Sequence, residues 1–139
     1  MKIFYEAKAH STGGRGGRVT TDDGVLDLQL SIPQKMGGAG GEGTNPEQLF
    51  AAGYAACFDS ALNHIAGLRK VDVESTAVDA TVGIGQHPEG GFGLAVTLEV
   101  TIVGPSREQA EELVQAAHAA CPYSNAIRNN VDVRLVIIG

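Results

Sequence analysis

One stretch near the middle of the chain constrains the fold more than any other. Asn45-Pro46-Glu47-Gln48 opens a helix on three independent signals. Asn45 stands at the N-cap, Pro46 at the first helical position, and Gln48 three residues after the cap, as in a capping box. The body that follows, Leu49-Phe50-Ala51-Ala52-Gly53-Tyr54-Ala55-Ala56-Cys57-Phe58, is apolar almost all round. A helix without a polar face is expected to be buried on every side, so the remaining elements have to cover it. Gly67, close to Arg69-Lys70, marks its end.

The other segments have a different periodicity. Ile3-Phe4-Tyr5 reads as the start of a first strand over residues 2–7. After a loop rich in glycine and arginine come Arg18-Val19-Thr20-Thr21 and a hairpin turn at Asp23-Gly24. Leu26, Leu28, Leu30 and Ile32 then alternate with polar residues until Pro33, which is period two with one face buried. Val78, Ala80, Val82 and Ile84 alternate again, His87 to Gly91 turns the chain, and Leu94 to Ile102 alternate on the return, predicting a long hairpin. Ser106 and Gln109 cap a second helix with Ala110, Leu113, Val114, Ala117 and Cys121 along one face, and Pro122 stops it. Val131, Val133, Leu135 and Ile137 form a last strand. This order predicts an α+β fold of mostly antiparallel sheet, packed on a buried central helix and an amphipathic second helix.

At 139 residues the chain is one domain's length, residues 1–139, and can bury a core without a disulfide or metal staple. Glycine is high, at 19 residues, and clusters in loops around positions 13–17, 37–43 and 90–91. The formal charge is −6 and no Lys/Arg cluster stands out, which argues against nucleic acid and anionic membrane partners. The segment MKIFYEAKAH has no apolar core of a secretion signal, and no apolar run approaches a membrane span, so a cytoplasmic protein is expected.

Four residues could carry chemistry. Cys57 and Cys121 lie 64 positions apart without a C-x-x-C motif, which leaves no zinc ribbon or thioredoxin-type pair. Each could be a small core hydrophobe. A thiol buried in mid-helix has a raised pKa and little help from the helix dipole, so a reactive Cys57 needs a nearby cation. Arg15, flanked by Gly14 and Gly16, can approach another element closely, although it and Arg18 also read as exposed loop residues. Glu47 is either a carboxylate favoured by the first helical turn or a bidentate partner that fixes the Arg15 guanidinium.

Residues 43–58, from Gly43-Thr44-Asn45-Pro46 to Ala56-Cys57-Phe58, and the segment Cys121-Pro122-Tyr123-Ser124-Asn125-Ala126 resemble the two signature stretches of the organic hydroperoxide resistance proteins within the OsmC/Ohr family. The likeness extends to Gly13-Gly14-Arg15, the Asp23-Gly24 hairpin and Gly83-Ile84-Gly85. It implies a thiol peroxidase with Cys57 as peroxidatic thiol, Cys121 as resolving thiol, and Arg15 and Glu47 as the pair that activates Cys57. It also implies an intertwined homodimer and re-reduction by a dihydrolipoyl-type dithiol on a lipoylated protein, with no bound cofactor or metal. Apolar neighbours such as Phe50, Tyr54 and Phe58 would favour bulky organic hydroperoxides as substrates. The sister OsmC branch and a non-enzymatic thiol sensor remain alternatives.

Glu47 and Cys57 are ten residues apart, about 15 Å along a straight helix and roughly 80° apart in direction. They cannot share one site within one helix, so either the helix breaks, with Gly53 as the candidate, or Glu47 comes from the partner's helix. Two copies crossing antiparallel near Ala52 would bring Glu47 of one to Cys57 of the other. Gly38-x-Gly40-x-x-Gly43 matches a dinucleotide fingerprint but lacks the strand-to-helix turn and the parallel βαβ plan that give it meaning. The four histidines, His10, His64, His87 and His118, read as structural or surface residues.

Overall fold

A computed structural model describes residues 1–139, which divide into two compact units, residues 1–49 and 50–139. In the first, strands β1 (Ala9–Thr12), β2 (Arg18–Thr21) and β3 (Asp27–Gln29) form an antiparallel meander. The Asp23-Gly24 turn closes as read: Gly24 has φ +74°, and the Asp23 carboxylate accepts the Val25 N–H and the Thr21 hydroxyl. The strand expected over residues 2–7 is absent, because the β1–β2 ladder begins at Ala9 and nothing pairs with the backbone further upstream than Lys8. Ile3, Phe4 and Tyr5 are instead exposed. The alternating run from Leu26 to Ile32 gives only the short β3, after which Leu30 and Ser31 leave β2 and turn to Thr44.

Helix α1 (Pro46–Leu68) starts as the sequence predicts, the Asn45 carboxamide oxygen accepting the Gln48 N–H. The reciprocal half of the box is missing, since the Gln48 side chain takes the Thr44 hydroxyl. The helix runs one residue past Gly67. Lys70, at φ +54°, is the left-handed residue that ends it, donating to Gly67 O while the Val71 N–H reaches back to Ala66 O.

The second unit is built on a sheet in the order β4 (Ser75–Gln86), β5 (Phe92–Val103), β6 (Val133–Ile138). The expected hairpin pairs β4 with β5 from Ser75 opposite Val103 to Gln86 opposite Phe92, and β6 lies parallel to β5. The return to β6 passes through α2 (Arg107–Ala120) and a short α3 (Pro122–Ile127). Ser106 and Gln109 form the complete capping box. Pro122, expected only as a stop, also begins α3, since its missing N–H costs nothing at a first helical position.

The core follows from the periodicities. Val96, Leu98, Val100 and Ile102 face it from β5, Ala110, Leu113, Val114 and Ala117 from α2, Cys121 from the end of α2, and Tyr54, Phe58, Leu62 and Ala66 from α1. Each large member contributes about 1.5–3 kcal/mol by burial. All-round burial of α1 is not seen within the chain: the i, i+4 stripe is buried while Ala52, Ala56 and Ser60 on the other side are exposed.

Candidate active site

Within the first unit, Arg15 sits in a single 3-10 turn (Gly14–Gly16) between β1 and β2. Gly13 and Gly14 are both at positive φ, and a side chain on Gly17 would collide with Thr12 O at 1.7 Å, so only glycine permits this turn. The turn presents the Arg15 guanidinium to the Glu47 carboxylate with Nη2–Oε1 2.6 Å and Nη1–Oε2 2.9 Å. This is the bidentate fork that the sequence left as one of two readings. Its hydrogen bonds hold the Glu47 pKa below the ordinary carboxylate value against the opposing effect of burial, and raise that of Arg15. Arg18, by contrast, pairs with Asp27 at an exposed position.

Glu47 therefore pairs with the arginine of its own chain. Helix α1 does not break at Gly53. That glycine has a different cause: a Cβ there would lie 2.7 Å from the Tyr123 hydroxyl oxygen, so its absence makes room for the ring.

Within the second unit, the two cysteines come together. Cys121 Sγ is 3.6 Å from Cys57 Sγ, both thiols are free, and they differ in access. Cys57 is half-buried on α1 and Cys121, between α2 and α3, is wholly buried. Burial raises the Cys57 pKa most; the neighbouring Cys121 raises it further, and the Tyr123 backbone N–H directed at the sulfur lowers it. Taken together, these influences favour the protonated thiol over the thiolate.

Aromatic rings accompany the thiols. Phe50, Tyr54 and Tyr123 have centroids 5.8–6.2 Å apart, mostly edge to face. Of the three expected wall residues, Phe50 keeps exposed surface, Tyr54 is fully buried, and Phe58 is a core residue with no face open to a ligand in this chain. Tyr123 packs against Phe50 and Tyr54 and keeps exposed surface. Its signal in the sequence was the glycine in the middle of an otherwise continuous helix. Ser124, also without an assigned role, is fully buried and bonds both Tyr54 and His118.

A model of the OsmC-like protein family matches residues 38–136. The chain belongs to the OsmC family. An organic hydroperoxide resistance protein of Xanthomonas axonopodis pv. citri is 50% identical to this OsmC-family chain over 137 residues, covering 98% of it and 96% of the relative. A Legionella pneumophila structure, described as an organic hydroperoxide resistance protein OsmC and predicted redox protein, matches with TM-score 0.95 at 50% identity, covering 99% of this chain and all of that one. Organic hydroperoxide resistance protein OhrB of Bacillus subtilis gives TM-score 0.90 at 47% identity, covering 98% of this chain and all of its own. The resemblance carried by residues 43–58 and 121–126 thus extends to nearly the whole OsmC-family chain and to its α+β fold. No helix is long and apolar enough to cross a membrane.

Proposed function

We propose that the protein is a cysteine peroxidase that reduces organic hydroperoxides to alcohols. The observation that carries the reading is the 3.6 Å separation of the sulfurs of a half-buried Cys57 and a buried Cys121. Its relatives' name, organic hydroperoxide resistance protein, gives the substrate class. In the first step the Cys57 thiolate attacks one peroxide oxygen, the O–O bond breaks, and the alkoxide leaves and takes a proton to become the alcohol. Cys57 is then a sulfenic acid. The Cys121 thiol condenses with it, forming the Cys57–Cys121 disulfide and water; the sulfurs need to close by only about 1.5 Å to reach disulfide length. A dihydrolipoyl-type dithiol on a partner protein returns both thiols and is itself oxidised to a disulfide.

Arg15, fixed by Glu47, supplies the cation that Cys57 requires, and Phe50 and Tyr123 offer an apolar surface to bulky peroxides. The working form in this reading is a homodimer. Exposed Phe4, Tyr5, Val25 and Leu26 in the first unit, and exposed Ala52 and Ala56 on α1, are apolar surface that a second copy would cover. Since both thiols must be reduced at rest, the setting is a reducing compartment, the cytoplasm.

The test is mass spectrometry of reduced protein treated with one equivalent of cumene hydroperoxide, followed by turnover with dihydrolipoamide. Loss of two mass units, a single peptide pair joining Cys57 and Cys121, and catalytic release of the alcohol are expected. Disulfide formation without turnover by any dithiol would instead favour a thiol switch.

A further inference from the structure

Two contacts join α1 to the segment after α2, and they are related by position. Tyr54 precedes Cys57 by three residues on α1, and Ser124 follows Cys121 by three residues in α3. Residues three apart on a helix share a face. The thiol pair Cys57/Cys121 and the hydrogen bond Tyr54/Ser124, at 2.6 Å, are thus successive rungs between two antiparallel segments. The second rung is fully buried at both ends. It continues outward, because His118 Nδ1 lies 2.9 Å from the same Ser124 oxygen. Arg128 closes the junction from outside, donating to the His118 carbonyl oxygen and to the Asn125 carboxamide.

We propose that the chain Tyr54–Ser124–His118 is a positioning device for the resolving step, holding Cys121 within reach of the Cys57 sulfenic acid. The inference rests on the peroxidase reading and adds residues that reading does not use. The need for such a device follows from the local structure. Cys121 is at once the C-cap of α2 and the N-cap of α3, both of its dihedrals are extended, and its thiol makes no cap hydrogen bond. A residue at a helix junction is held by its neighbours and not by a continuous helix. The Ser124 hydroxyl has one donor and two acceptor positions, so it can bond Tyr54 and His118 at the same time and tie α1 and α2 to the segment that carries Cys121. Burial, followed by the charge of Arg128, keeps the His118 pKa below its ordinary value, which favours the neutral imidazole beside Ser124. Losing either end leaves a buried hydroxyl short of a partner, and the segment carrying Cys121 gains freedom.

The two half-reactions separate this role from a general loss of structure. Reduced wild type, Ser124→Ala, His118→Ala and His118→Asn are each mixed with one equivalent of cumene hydroperoxide. Trapping of the Cys57 sulfenic acid by dimedone and formation of the disulfide are then followed over time. For Ser124→Ala and His118→Ala the sulfenic acid should form at the wild-type rate, while the disulfide forms more slowly, on the order of tenfold. The substitution His118→Asn places a carboxamide near the position of Nδ1, so it should recover most of the resolving rate. A second series uses diamide, which oxidises the same thiol pair through a Cys57 adduct and needs no peroxidase activity. The same ranking is expected there. Wild-type resolving rates in both alanine variants, with either oxidant, overturn the proposal, as does equal slowing of both steps. Failure of the wild type to react with cumene hydroperoxide, with the diamide ranking intact, overturns the peroxidase reading and leaves the positioning role standing.

Discussion

Arg15 and Glu47, thirty-two residues apart, meet through both carboxylate oxygens, at 2.6 and 2.9 Å. A single hydrogen bond leaves a guanidinium free to swing, whereas a fork fixes its plane. The charge is thereby held on a glycine-rich turn that has little stiffness of its own. Arg15→Ala should slow the first reaction with hydroperoxide by about tenfold or more at neutral pH, each unit of thiol pKa costing a factor of ten in thiolate. Arg18→Ala, which breaks an exposed pair, should change it little. Iodoacetamide titration of Cys57 in both variants checks this, and an unchanged Cys57 pKa in Arg15→Ala would falsify the assignment.

The same fork has a signature in acid. The Glu47 pKa is lowered in the folded state, chiefly by hydrogen bonding to Arg15. Its contribution to stability is thus complete above the ordinary carboxylate value and is lost as pH falls through the lower, folded value. Glu47→Gln removes that dependence. Denaturant unfolding measured between pH 6 and about pH 3 should show the wild type losing its advantage over the variant on the acid side, with none of the change occurring above pH 6.

Cys57→Ser should abolish peroxide reduction, because the remaining thiol, Cys121, is wholly buried. Cys121→Ser should consume one equivalent of peroxide and halt at a sulfenic acid that dimedone captures. If the adduct were found on Cys121 in a Cys57→Ser protein instead, the two roles would be reversed.

Gly53 tests the aromatic surface. Alanine is favoured over glycine in a helix by about 1 kcal/mol, yet the added carbon must push the Tyr123 ring away. Gly53→Ala should therefore leave the thermal midpoint within a few degrees of wild type while lowering kcat/KM several-fold for cumene hydroperoxide. Equal activity toward cumene hydroperoxide would remove Tyr123 from the substrate surface.

Whether each site draws on both chains is open to a direct test. Since Glu47 and Arg15 pair within one chain, a shared site would receive them together from the partner. In a purified mixed dimer of Glu47→Ala with Cys57→Ser, one site would then hold a complete set, and about half of wild-type activity should return. Activity no higher than the mean of the two parent homodimers would place the whole set in one chain.

Local patterns in the sequence were enough for the long elements. The capping residues Asn45 and Ser106 bond to the backbone as their types predict, the period-two runs on either side of His87–Gly91 pair as one hairpin, and the apolar stripe of α2 is the buried one. These features depend on residues within a few positions of each other, which a sequence displays directly. What failed depended on partners far along the chain. Ile3-Phe4-Tyr5 has strand-forming residues but no ladder to join, and Phe58, apolar like Phe50, goes to the core because the i, i+4 rotation of α1 puts it beside Leu62. The functional residues divide the same way. The residue types left Cys57, Cys121, Arg15 and Glu47 with bland alternatives and the family resemblance singled them out, but only the tertiary structure set the two sulfurs 3.6 Å apart and closed the carboxylate on its own chain's arginine. The contacts of Tyr123 with Gly53 and of Ser124 with Tyr54 span seventy residues, and no local pattern displays them. Sequence periodicity records which face of an element is apolar; which residue meets which across the core is decided when all the faces close together.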